Sequence, residues 1–420
     1  MLYIIAMIPM AFDFKSEGAG AGAIVQGILL ALYLALSVLF LLRTRTAATT
    51  NDGYSPLPFF AVSWFCLLGA FVGYVRGQEL YSIITSAIPA CLFVTSIYLT
   101  VRAIQASTDQ ELLLRQLKGL CLLFLLSRFA IIASTIGIDV TTVRYQILAG
   151  SINAGLGLIA LRFLFKTRFL DLAVIVTSLG LVLVSVTRSQ LLVAATQTFI
   201  YLKTPNILLK PAVVGRAILL SCLLLALIGA DQAFDAGFTD RWIARIFASN
   251  ELGADPTLLT RRAEVEFMSD SFTRGGTEFL FGNGIAAETS LVGTDAGIAA
   301  LLVGRDSVAK VHSLGFGHQN YWSILFIGGI VGGAPLLALL FWQAYEAVSF
   351  LQSCRNVIFS ERSLVELGAW GSTIVIGMVT YGFLAGTFGD RPTCMWYGIG
   401  VGLLAGSKSL LAKLKRGPRC

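Results

Sequence analysis

The chain reads as all-α: a polytopic membrane protein of about twelve transmembrane helices with one long outward loop that carries short helices. Three observations predict this. Apolar residues are 56% of the 420-residue chain and charged residues 13%, about half the share of a soluble domain, and mean hydropathy is +0.78. Apolar runs approaching the roughly 20 residues that cross a bilayer recur along the sequence. Lys and Arg collect in alternate loops, as the positive-inside rule requires. The same composition excludes disorder, which needs low hydrophobicity and high charge.

The expected spans are 1–13, 22–42, 58–75, 80–99, 119–138, 147–165, 169–187, 190–202, 214–230, 321–342, 365–386 and 392–410. The first is short and begins at Met1. It lacks the basic n-region and small-residue cleavage site of a signal peptide, so it is expected to be a membrane helix. The eighth, Gln190 to Tyr201, is short enough to be half-buried or re-entrant. With both termini cytoplasmic, the inside loops and tail hold seventeen Lys and Arg, among them Lys118, Lys166, Arg168 and Arg362. The short outside loops hold five: Lys15, Arg76, Arg144, Arg188 and Arg391. The net charge of +7 is therefore mostly topology rather than a nucleic-acid signal. Three regions follow: an N-terminal bundle over 1–230, an outward loop subdomain over 231–320, and C-terminal helices with a basic tail over 321–420.

The outward segment is the one stretch long enough for a subdomain, and long connections are usually functional. Asp240 to Ala248 places Trp242, Ile243, Ile246 and Phe247 at helical spacing, as in a helix lying on a membrane surface. Thr257 to Phe272 reads as a second helix. Arg274-Gly275-Gly276 and Phe281-Gly282-Asn283-Gly284 mark turns. Residues 231–317 hold twelve acidic and seven basic side chains, and none of the seven cysteines. No disulfide framework, CxxC, HExxH or EF-hand pattern is present, and two histidines exclude a His-rich metal site.

Chemistry concentrates at the outer rim. His312 and His318 close the outward segment, and His318 runs into Gln319-Asn320-Tyr321-Trp322 and a glycine-rich stretch, Gly328 to Gly333. A histidine titrates near neutrality and can act as a base or donor. Arginines at or in a span are costly and so are functional candidates. Arg188, in Thr187-Arg188-Ser189, sits at an outer helix end. Arg128 lies nearer mid-span, where it could pair with a carboxylate. Arg144 precedes Gly150 and Asn153, and Arg261 and Arg262 lie on the second loop helix. Arginine grips phosphate with two prongs. Outward arginines with a histidine thus point to a diphosphate ligand and a proton acceptor.

These residues resemble the bacterial O-antigen ligase and O-antigen polymerase superfamily. The family's late motif is His, then Asn, Ser or Gln, nine residues, Gly, two residues and a small residue. Here it reads His318-Gln319, nine residues, then Gly329-Ile330-Val331-Gly332. Thr187-Arg188-Ser189 matches the family's arginine step at a periplasmic helix end. Arg262 through Gly282-Asn283-Gly284 matches an Arg-led loop helix ending at Gly-x-Gly. Arg144, Gly150 and Asn153-Ala154 match an earlier loop loosely, with Ile152 where a Pro is usual.

The resemblance implies a metal-independent, cofactor-free inverting glycosyltransferase in the bacterial inner membrane, with its active site facing the periplasm. The donor would be a glycan on undecaprenyl diphosphate. The acceptor would be lipid A-core for a ligase, or another lipid-linked repeat for a polymerase. Arg188 and Arg262 would bind the diphosphate and His318 would orient or deprotonate the acceptor hydroxyl. Arg144, Arg261, His312, Gln319, Asn320, Gly282 and Gly284 would line the substrate site. Arg144 and Gly155 fit an Arg-x10-Gly spacing described for polymerases, which keeps that alternative open. A secondary transporter is the alternative from another class. A metal-dependent glycosyltransferase using Asp13 and Glu17 of the first outer loop is a further one.

Overall fold

The structure is a computed structural model that describes residues 1–13, 21–44, 55–134, 150–162, 165–185, 187–202, 229, 238–247, 253–291, 293–303, 320–354 and 361–416. Among these every regular element is helical. The helices are α1 (Leu2–Met7, continued by a 3-10 turn Ile8–Phe12), α2 (Ala21–Thr44), α3 (Leu57–Val75), α4 (Leu80–Ala106), α5 (Gln110–Ser134), α6 (Gly150–Leu161), α7 (Phe169–Ser185), α8 (Arg188–Leu202), α9 (Phe238–Ile246), α10 (Pro256–Thr273), α11 (Thr277–Phe281), α12 (Gly293–Val303), α13 (Asn320–Ser353), α14 (Arg362–Gly382) and α15 (Arg391–Arg416).

This is an all-α membrane protein. Five of the described helices are long and apolar enough to cross a bilayer: Gly22–Thr44, Leu57–Val75, Leu80–Ala106, Asn320–Ser353 and Arg362–Gly382. Two more, α5 and α15, have the length but carry charges, Lys118 and Arg128 in the first and Arg391, Lys408 and Lys413 in the second. The first expected span is shorter than a crossing. Six α-helical and five 3-10 residues reach about 19 Å against a hydrocarbon layer of about 30 Å. Its side chains Tyr3, Met7, Met10 and Ala11 are instead buried inside the protein. Within the described residues, α6 and α8 have 12 and 15 residues and are also short. The expected span 214–230 lies outside the described residues, apart from Gly229.

Burial orders the bundle from rim to centre. The most apolar stretch of α2 is 17% buried, whereas that of α14 is 89% buried. Ile24, Ile28, Leu32 and Leu39 of α2, and Phe60, Leu67 and Phe71 of α3, are exposed, as lipid-facing side chains are. At the centre, Trp370 of α14, Trp396 of α15 and Phe124 of α5 are fully buried and pack in sequence, the first pair tilted and the second edge-on, with ring centroids 6.3 and 5.6 Å apart. α15 lies along α4 through Gly398, Gly402 and Gly406, spaced one per turn. A Cβ there would strike the Phe93 carbonyl, Thr100 and Ile104 respectively. Small residues at that spacing let helix backbones approach closely.

A closed ring of buried charges holds four chain segments together. Lys118 of α5 lies 2.6 Å from both Asp171 of α7 and Glu366 of α14. Arg162, just past α6, reaches Asp171 at 2.5 Å and Glu366 at 2.9 Å. All four are at most 5% exposed, and two positive charges balance two negative ones. Asp171 also accepts the backbone N–H of Arg168 at 2.8 Å. Lys118, first read as a topology-setting loop residue, is thus a buried structural ion. Removing one member of such a pair leaves an uncompensated buried charge and costs about 3–5 kcal/mol, whereas removing both partners can be nearly neutral.

At the end of the bundle that carries α9 to α12, called here the cap end, a glycine turn is wedged into a broken helix. α13 has 34 residues, about 51 Å, too long for one crossing, and it breaks at Gly329 (φ 60°, ψ −162°). The break divides it into 320–328, lying at the cap end, and a 24-residue stretch that can cross. It also frees carbonyls, which need partners in an apolar medium. Asn283 donates its backbone N–H to Phe326 O at 2.8 Å, and Gly284 donates to Ile327 O at 3.1 Å. Ile285 donates to Gly69 O of α3 at 2.9 Å. Gln78 Nε2 donates to Asn283 O, and Arg76 reaches Asn283 Oδ1 at 3.1 Å and Glu278 at 2.9 Å. Six residues beyond the break, Pro335 lacks the N–H that would meet Val331 O, and the Trp64 indole of α3 donates to that carbonyl at 2.9 Å.

Two outcomes follow from these contacts. Glu366→Gln and Lys118→Met, made singly, will each lower the melting temperature of the purified protein by more than the double variant does. Additive single effects would show that the two are not a coupled pair. Gly329→Ala will make the segment 274–292 more sensitive to limited proteolysis, because its Cβ would meet the Leu280 carbonyl at a positive φ. Wild-type sensitivity would show that the wedge does not need this glycine.

Candidate functional site

At the cap end a cavity of about 330 Å³ lies between α8, α10 and the loop after α14. Its lining includes Thr187, Arg188, Ser189, Asp255, Thr257, Arg261 and Leu384. Two helix N-termini open into it. α8 begins at Arg188, and α10 begins with Pro256 at its first position and Asp255 as its cap. Proline fits the first turn because no N–H is needed there, and Asp accepts the free amides. The first N–H groups of a helix and the positive end of its dipole attract anions. Two such termini and two guanidinium groups give this cavity the character of an anion site.

Within it, Arg188 Nη2 lies 2.6 Å from Asp255 Oδ2, and Asp255 Oδ1 accepts the Thr257 N–H at 3.0 Å. Burial disfavours the charged form of Asp255, but Arg188 and the amides of Thr257 and Leu258 outweigh it and hold the carboxyl below the ordinary carboxylate range. The protein's own carboxylate thus occupies the cationic end of the cavity. The ion pair also ties α10 to the bundle.

The structure separates the arginines of the sequence reading. Arg188 and Arg261 line one cavity, while Arg262 is exposed and is not among its lining residues. The pattern explains why. Residues adjacent on a helix point about 100° apart, and Ala263 and Glu264 take the buried face of α10. Gly282 and Gly284 form the wedge under α13. A Cβ on Gly282 would collide with the Ile327 carbonyl, and one on Gly284 would meet Gly73 at 2.5 Å, so both serve backbone packing. Asn320 is 1% exposed and its Oδ1 accepts the Phe388 N–H at 3.3 Å, while Tyr321 donates to Val379 O. These bonds fix the start of α13 against the loop that contributes Leu384 to the cavity. His318, Gln319, His312 and Arg144 lie outside the described residues.

Sequence reasoning passed over Asp255, although Asp-Pro ahead of a helical pattern is a start signal that would have found it. It assigned Arg76 to topology, whereas Arg76 pins the glycine turn. Arg128 bonds a main-chain carbonyl rather than a carboxylate. Its Nη2 donates to the Asp13 carbonyl at 2.7 Å, and Arg391 lies 3.8 Å from the Asp13 side chain. Among the described residues no group of His, Cys, Asp and Glu is placed to hold a metal ion. Neither protein-family models nor curated proteins match this chain.

The ion pair sets a pH expectation. Asp255 has a folded-state value below its unfolded one of about 3.9, so its contribution is complete above that value and is lost as pH falls through the folded one. The protection of α10 amides relative to intrinsic exchange will stay flat from neutral pH down to about 5 and fall only below about 4. In Asp255→Asn it will be low throughout. A loss of protection centred near pH 6 in the wild type would contradict this assignment.

Proposed function

We propose that the chain is a glycosyltransferase that takes a glycan from an undecaprenyl diphosphate carrier at the extracytoplasmic face of the bacterial inner membrane and passes it to a sugar hydroxyl. The observation that carries the reading is the cavity in which Arg188, Arg261 and two helix N-termini converge. A diphosphate leaving group needs that arrangement, because negative charge builds on it as the glycosidic bond breaks. The resemblance of the His318 and Arg188 motifs adds the reaction class.

In this reading the acceptor hydroxyl attacks the anomeric carbon from the face opposite the diphosphate. The carbon–oxygen bond to the carrier breaks with inversion, the diphosphate takes the electron pair, and His318 receives the hydroxyl proton. Arg188 exchanges its bond to Asp255 for a phosphate oxygen. Arg261 is the second phosphate ligand, in place of the Arg262 expected from sequence. The prenyl chain leaves through the bilayer side of the bundle. Asn320, two residues after His318 in the sequence, is itself held next to the loop that bears Leu384. Lipid A-core is the favoured acceptor, which makes the enzyme ligase-like. A second lipid-linked repeat unit would make it a polymerase.

A null strain analysed by gel distinguishes the two acceptors and tests the class. Lipid-linked polymer that accumulates without reaching the surface identifies a ligase, and single repeat units identify a polymerase. An unchanged glycan profile overturns the proposal. On complementation, His318→Ala will abolish transfer with normal membrane insertion. Arg188→Lys will be severely impaired, since a point charge cannot replace a two-pronged grip. Full turnover by the Lys variant would remove Arg188 from the diphosphate site.

A further inference from the structure

A second polar feature lies inside the bundle, apart from the cavity wall and the charge ring. Gln197 of α8 is fully buried. Its Nε2 donates to Asn153 O at 3.0 Å and to Thr373 O at 2.8 Å. Those two bonds fix the orientation of the amide and turn Oε1 away from both carbonyls. Oε1 has no partner among the described residues, and neither do Asn153 Oδ1, Ser151 Oγ of α6 or Gln190 Oε1 of α8. All four side chains are at most 1% exposed. The protein makes room for this layer. A Cβ on Gly377 would collide with the Gln197 amide, and one on Gly157 would meet Thr373 Oγ1 at 2.6 Å.

A buried polar atom without a partner costs about 1–3 kcal/mol, and natural interiors satisfy such groups with ordered water. Four of them on two touching helices, in an apolar bundle, exceed what packing alone explains. Gln190 and Gln197 are seven residues apart, two turns and about 10 Å along one face of α8.

We propose that Ser151, Asn153, Gln190 and Gln197 bind water inside the bundle, on the buried faces of α6 and α8. The water is held by carbonyl and hydroxyl acceptors. The site does not depend on the glycosyltransferase reading and stands or falls separately from it.

X-ray radiolysis of the full-length protein in nanodiscs tests it, because radicals form at bound water and oxidise the nearest methionine to sulfoxide. Met378 is fully buried, with its sulfur 3.5 Å from Asn153 Nδ2. Met395 is equally buried, in the α15 core, and serves as the control. Met378 will be oxidised several-fold faster than Met395 in the wild type. In Gln197→Leu its rate will fall towards that of Met395. Equal rates in the wild type overturn the proposal, as does a Met378 rate that Gln197→Leu leaves unchanged. If the variant does not fold, the wild-type comparison decides.

Discussion

The ring of Lys118, Arg162, Asp171 and Glu366 is the constraint on which the bundle depends. Four ions removed from water are tolerable only if each meets its opposites, and here every cation touches both anions. The partners come from α5, the end of α6, α7 and α14, so the ring cannot close unless those segments are in register. Hydrophobic packing between lipid-immersed helices is weakly directional, since lipid tails are as apolar as leucine. Charges with fixed partners supply the specificity that apolar surfaces lack.

From that register the functional end follows. α14 is held by the ring below and receives the Gln197 amide of α8 through Thr373 above. α8 is thereby set so that its first residue, Arg188, opens at the cap end, where Asp255 brings the start of α10 to meet it. The far side of the cap is fastened separately, by the glycine turn seated in the break of α13 and by Arg76 and Gln78 beyond α3. The cavity thus sits between two attachments, one ionic and one made of backbone hydrogen bonds. An ion pair can exchange one anion for another, whereas the wedge has no substitute donors.

The helical membrane class, the long crossing helices and two of the four described cap helices, α9 and α10, were legible from period and composition alone. α10 runs one residue beyond its expected bounds at each end. What the sequence could not reveal was pairing across distance. Lys118 and Glu366 are 248 positions apart, and in isolation each looks like an ordinary charge near a helix end. Arg261 and Arg262 are equivalent in composition, and only the buried face of α10 decides which reaches the cavity. Gly282-Asn283-Gly284 was recognised as a turn, but its seat appears only once the α13 break is seen. The Gly398-Gly402-Gly406 stripe was visible in the sequence, but the helix it packs against was not.

The wedge also fixes an order of assembly. Its strand of backbone, 282–285, bonds at once to residue 69 and to residues 326 and 327, partners that leave the ribosome far apart in time. The turn cannot be seated when it is first made, because two of its three main-chain acceptors, Phe326 O and Ile327 O, have not yet been synthesised. α3 must wait in the bilayer with its glycine face unfilled until α13 arrives. Completion of the site is therefore a late, post-insertional event, and a chain stopped before α13 will carry the cavity arginines without the frame that holds them.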